Sequence, residues 1–135
     1  MFLAELNEKE KEVFWEIANL LIDIDGNISK FETDMLEEYK KELRMDSLVV
    51  GIEVKKNIDE ILDDLKNMSE RRKKIVFFEL LGLAYADKEY VDKEKELISV
   101  VKKKFDIKDN EEKIMQQSVE SIMNIYVDLE RIFNV

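Results

Sequence analysis

The sequence predicts an all-α protein: a compact bundle of about six helices, built from two pseudo-twofold-related helical hairpins plus a C-terminal helix. Three observations lead there. The 135-residue chain has no proline and only three glycines, Gly26, Gly51 and Gly82, so little interrupts a helix. Apolar residues recur at helical spacing along most of its length. The two halves also align at an offset of 62 residues without a gap. Residues 1–135 fit one domain, and a 45% apolar content suffices for a real core.

The first helix starts at Asn7, a natural N-cap, with Glu10 three residues on to complete a capping box. It runs to about Ile24. Val13, Ile17, Leu20, Leu21 and Ile24 form its apolar face, with Glu12, Glu16, Asn19 and Asp23 opposite. Asp25-Gly26-Asn27 is a turn, after which Ser29 and Glu32 cap a second helix carrying Phe31, Met35, Leu36, Tyr39 and Leu43. Residues 46–56 read as a packed loop or helical turn. Leu48-Val49-Val50-Gly51-Ile52 has strand composition, but there is no second strand for it to pair with.

Asn57 and Glu60 open a short third helix reaching Lys66, and Ser69 caps a fourth. From Ile75 to Ala86 the fourth helix is apolar nearly all round, the mark of a central buried helix. Glu79, Gly82 and Ala86 lie along its one polar or small stripe. A fifth helix begins near Val91–Asp92, carries Leu97, Ile98, Val101 and Phe105, and ends on Lys102, Lys103 and Lys104, where cations suit the helix dipole. The last helix spans about residues 110–133. Its Met115, Val119, Ile122, Tyr126, Leu129 and Phe133 are spaced 4-3-4-3-4. Ile114, Ile125 and Ile132 widen the stripe, which favours packing across the chain's own helices over a dimer seam.

At the 62-residue offset, Val13, Phe14 and Trp15 fall on Ile75, Val76 and Phe77, and Leu21 falls on Leu83. Asp25 falls on Asp87, Ile28 on Tyr90 and Glu32 on Glu94. Met35 and Leu36 fall on Leu97 and Ile98, and Leu43 on Phe105. Helical periodicity alone accounts for some apolar matches. It does not account for an Asp and a Glu seven residues apart in both halves. One helical hairpin cannot bury its own apolar face, so two are expected to pack about a pseudo-twofold axis.

Composition narrows the function. There is no cysteine and no histidine, which removes disulfides, thiolate sites and the commonest acid/base and transition-metal ligand. With 32 acidic and 22 basic residues the net charge is -10, which repels nucleic acid and anionic membranes. The best basic run, Arg71-Arg72-Lys73-Lys74, has no interleaved aromatics and reads as a solvated helix surface. No signal peptide is evident, and no apolar run approaches the roughly 20 residues of a membrane span. A cytoplasmic protein is expected.

The turn after the first helix invites comparison with a calcium-binding EF-hand. With Gly26 as the sixth loop position, Asp23, Asp25 and Glu32 fall on the third, fifth and twelfth, but Leu21 stands at the first, where an acid is needed. The second unit departs further, with Leu83, Tyr85 and Lys88 at the first, third and sixth. A closer match exists. Asp25-Gly26-Asn27-Ile28-Ser29-Lys30-Phe31-Glu32 after an apolar helix, echoed by Asp87-Lys88-Glu89-Tyr90-Val91-Asp92-Lys93-Glu94, resembles the tellurite-resistance TerB-like family. It is also similar to the N-terminal module of some membrane-anchored DnaJ-like co-chaperones. The resemblance covers residues 10–106 plus a closing helix. Lys88 departs from the family's usual Asp-Gly.

The resemblance implies a single TerB-like helical domain with its two acidic motifs close together. It implies a role in stress response, phage defence or metal-dependent assembly, without established catalysis, and it carries over to Asp25, Glu32, Asp87 and Glu94. Facing carboxylates need a counter-charge. Oxygen ligands favour Ca²⁺, Mg²⁺ or Mn²⁺, so these four are candidate metal ligands. The plainer reading is that each caps its own turn or helix start. The function expected is a non-catalytic interaction module with a protein partner, as a monomer or weak homodimer. The alternatives are a divalent cation-binding or calcium-sensing protein and, least favoured, an enzyme.

Overall fold

The structure, a computed structural model, describes residues 1–24, 29–50, 54, 56–85 and 91–134. Among these residues there are no strands and six α-helices: α1 (Glu8–Asp23), α2 (Lys30–Leu43), α3 (Ile58–Asp63), α4 (Glu70–Ala84), α5 (Asp92–Phe105) and α6 (Asp109–Phe133). A 3₁₀ turn at Leu3–Glu5 precedes them.

The helices start where small polar side chains stop the backbone. Asn7 Oδ1 accepts from Glu10 N at 2.9 Å while Asn7 N donates to Glu10 Oε1 at 2.9 Å, a complete capping box. Asn57 and Ser69 cap α3 and α4 through Glu60 N at 2.9 Å and Arg72 N at 3.2 Å. The third helix is shorter than its composition suggests and breaks into turns after Asp63. α2 and α5 end on left-handed residues, Arg44 (φ 56°) and Asp106 (φ 53°). Past Asp106, Ile107 N reaches back to the Lys102 carbonyl at 3.0 Å and closes the helix end.

The repeat survives in three dimensions. The limits of α4 and α5 lie 62 residues beyond those of α1 and α2 at three of four ends, and the two left-handed caps are 62 residues apart. Packing follows the same rule. The 3₁₀ turn ahead of α1 packs on α2 and α4, and α3, ahead of α4, packs on α5 and α1. Leu3 and Leu6 are buried, as are Leu65 and Met68, their counterparts. Such an exchange of partners is what a pseudo-twofold produces. Glu10 and Arg72 are themselves equivalent positions, and they form an ion pair at 3.0 Å. Two related positions that touch lie beside the axis relating them.

α4 is the centre. It packs on α1, α5, α6 and the 3₁₀ turn, and Ile75, Val76, Phe77, Leu80, Leu81, Leu83 and Ala84 are buried. Beyond the shorter third helix, and Phe31 lying 66% exposed on α2, two more expectations change. Asn19 belongs to the interior, 1% exposed, with its Nδ2 donating to the Trp15 carbonyl at 2.8 Å. Partly buried Met45, Leu48 and Val50 pack against the core, and Trp15 Nε1 donates to the Val49 carbonyl at 3.1 Å. Residues 45–50, part of the segment expected as a packed loop or helical turn, thus pack against the core and meet Trp15 of α1. Residues 51–53 and 55 lie outside the described residues.

The second change concerns α6. Met115 packs against the core and Val119 is buried, but Tyr126, Ile132 and Phe133 are 65%, 66% and 70% exposed. Ile114, Ile125 and Ile132, expected to widen the packed stripe, are all exposed; for the later turns the reason is length. At 1.5 Å per residue α6 runs about 37 Å and α4 about 22 Å, so the later turns outrun the support. Deleting residues 125–135 is therefore expected to cost less than about 1 kcal/mol of stability in urea denaturation, since exposed turns contribute little. In the same assay Gly82→Ala is expected to stabilise by about 0.5–1 kcal/mol. A Cβ at Gly82 would meet nothing closer than the Tyr39 hydroxyl at 3.8 Å.

Candidate functional site

The acidic motifs sit where α1 joins α2 and α4 joins α5. Of their four carboxylates, Glu32 and Glu94 are described, and both are only 4% exposed. Asp25 and Asp87 lie outside the described residues. Glu32 Oε1 accepts from Ser29 N at 3.0 Å, and Ser29 Oγ accepts from Glu32 N at 3.1 Å. Glu94 Oε1 accepts from Val91 N at 3.3 Å. Val91 has no side-chain oxygen, so the second box lacks its reciprocal bond. Each glutamate thus tethers a helix start, where a negative charge also meets the positive end of the helix dipole. Among the described residues no group of three or more carboxylates gathers as a metal would need.

A second feature was not expected from the sequence. Met35 and Tyr39 of α2, Phe78 and Gly82 of α4, and Ile122 and Tyr126 of α6 line a groove of about 430 Å³. Its polar lining is acidic. Glu42 and Glu79 hold the amino-terminal ammonium at 2.8 and 2.9 Å and accept from Leu3 N and Phe2 N, each at 3.1 Å. Burial alone would lower the pKa of that ammonium, but the hydrogen bonds to Glu42 and Glu79 outweigh it and raise the value. The Tyr39 hydroxyl donates to the Glu79 carbonyl at 2.9 Å. Burial, then the charges of Glu79 and Glu42, push the Tyr39 phenol well above its usual range. The sequence signal for this site was Glu79 itself, the single acid in an apolar helix.

Three members of the basic run are engaged within the chain. Arg71 grips Glu5 with two bonds of 2.8 and 2.9 Å, Arg72 meets Glu10, and Lys74 meets Glu111 at 2.6 Å. No described helix is long and apolar enough to cross a membrane.

No protein-family model, curated protein or solved structure matches this chain. The chain offers two buried glutamates that fix helix starts and an apolar groove with carboxylates in its lining.

The caps give a direct test. Glu32→Ala is expected to cost about 0.5–2 kcal/mol in chemical denaturation, while Glu32→Gln, which still accepts the bond, costs less. Val91→Ser supplies the missing oxygen and is expected to stabilise by about 1 kcal/mol. The groove predicts a pH dependence. An unfolded tyrosine ionises near pH 10, whereas folded Tyr39 keeps its proton to higher pH, so its contribution is complete below about pH 10 and lost above it. Urea titrations across pH 8–11 are expected to show stability falling at the alkaline end, and Tyr39→Phe to flatten that fall.

Proposed function

We propose that this protein is a non-catalytic interaction module of a cytoplasmic stress-response or defence system of the tellurite-resistance type, responsive to a divalent cation. One observation carries the reading: the duplicated hairpin, with helix limits 62 residues apart and a buried glutamate at the same place in each copy. The TerB-like resemblance implies such a duplicated helical fold with its two acidic motifs close together. The exposed apolar turns of α6 supply a surface that a binding protein has reason to keep and a solitary domain does not. The absence of His and Cys from the composition removes the usual nucleophile and base pairings, which favours binding over catalysis.

The cation enters through the acidic turns. Glu32 and Glu94 already place negative charge at two helix starts, and Asp25 and Asp87 would supply the remaining oxygens. Hard oxygen ligands select Ca²⁺, Mg²⁺ or Mn²⁺.

Two measurements bear on the reading. Affinity capture from cell extract, with and without EDTA, is expected to recover a protein partner whose retention changes with chelation. Recovery of none under either condition would end the interaction reading. Titration calorimetry and thermal melting with Ca²⁺, Mg²⁺ and Mn²⁺ are expected to show binding and a raised midpoint, because an ion held by the folded state must stabilise it. Neither heat nor a melting shift at millimolar metal removes the cation from the proposal. Metal binding with no protein partner would favour a cation sensor or buffer instead.

A further inference from the structure

We propose that the groove between α2, α4 and α6 is the docking site for an amphipathic helix of a partner protein, with lysines or arginines flanking its apolar face. This rests on the interaction-module reading and specifies the partner's chemistry.

The shape favours a helix. Gly82 is part of the lining and adds no side chain to it, with the Tyr39 hydroxyl 3.8 Å from where a Cβ would stand. Beyond the groove, the apolar line of α6 continues from Ile122 through Tyr126, Leu129 and Phe133, the last three exposed. Groove and stripe together form one elongated apolar track, the form that an apolar helix face at i, i+3, i+4, i+7 fills. Met35 and Met123 in the lining adapt to differing side chains.

The charge selects the occupant. The charged side chains lining the groove are Glu38, Glu42 and Glu79, with no lysine or arginine among them, on a chain of net charge -10. Glu42 and Glu79 already seat an ammonium group, the chain's own amino terminus. That ammonium and the backbone N–H groups of Phe2 and Leu3 take up Glu42 and Glu79, so the cations of a docking helix meet the exposed Glu38 and the surplus negative charge of the chain. A second copy of this chain would bring another -10 and the same glutamates, so like charges would meet. An anionic lipid surface is also disfavoured. The polar side of the projecting part of α6 carries Asp128 and Glu130 against a single Arg131, where a membrane-surface helix carries an excess of cations.

The test uses the full chain and three synthetic peptides of about 18 residues, a length that spans about 27 Å as a helix. One is built of leucine and lysine with leucines at helical spacing. One has the same composition scrambled to abolish amphipathicity. One replaces lysine with glutamate. Calorimetry is expected to show the first binding at least about tenfold more tightly than the others. Ile122→Ser/Tyr126→Ser, which leaves the charge unchanged, is expected to weaken it by about tenfold or more, with the circular dichroism spectrum preserved. Equal binding of the scrambled peptide, or no effect of the double substitution, overturns the proposal. So does sedimentation of the free protein as a dimer that this substitution dissociates, since a second copy would then own the surface. A partner captured from extract that still binds the double variant sinks the groove while leaving the interaction module standing.

Discussion

A helix that is apolar on nearly every side has to be covered on every side, and α4 imposes that demand on the rest of the molecule. Burying a large apolar side chain is worth about 1.5–3 kcal/mol. α4 buries seven apolar residues over most of its circumference, leaving partly exposed Phe78 and Gly82 on the side of the groove. One partner helix can cover only one flank. α1, α5, α6 and the N-terminal 3₁₀ turn each take part of its surface. The order of packing then follows from the duplication. α1 is the equivalent of α4, and the two cross beside the Glu10–Arg72 ion pair.

The duplication is not perfect, and its breaks mark where the halves have separate work. α1 is finished on its Trp15 side by the loop after α2, through the bond from Trp15 to the Val49 carbonyl. α4 is finished by α6, a full helix. Ser29 caps α2 with an oxygen that Val91 cannot offer α5. Lys102 helps to hold the start of α6, reaching Asp109 and, at 3.0 Å, Glu112. These are local solutions to one problem, orphan polar groups at helix ends and bare apolar flanks, reached with different side chains.

The acidic character of the chain is not spread evenly in effect. Glu5, Glu10, Glu42, Glu79 and Glu111 are held by Arg71, Arg72, Lys74 or the amino terminus and join segments distant in sequence. Glu10 and Glu79 are buried and tie one half of the molecule to the other, where breaking a pair leaves a carboxylate without its counter-charge. The net charge of -10 sets the sign of the field around the molecule.

The sequence by itself determined the helices, their starts and the repeat. Each depends on short-range chemistry: caps at Asn7, Ser29, Asn57 and Ser69, the scarcity of glycine and proline, and apolar spacing within a few turns. It also foretold α4 as the centre, because a helix apolar all round has no other place. Three features were decided only in three dimensions. Asn19 proved buried, with its Nδ2 satisfied by the Trp15 carbonyl of the same helix. The seam of α6 divided into a packed half and a bare half, because the lengths of α4 and α6 differ, and periodicity within one helix carries no information about where its neighbour stops. The groove arose because Tyr39, Phe78 and Ile122 come from three helices, and only the packing of α4 between two walls sets them together.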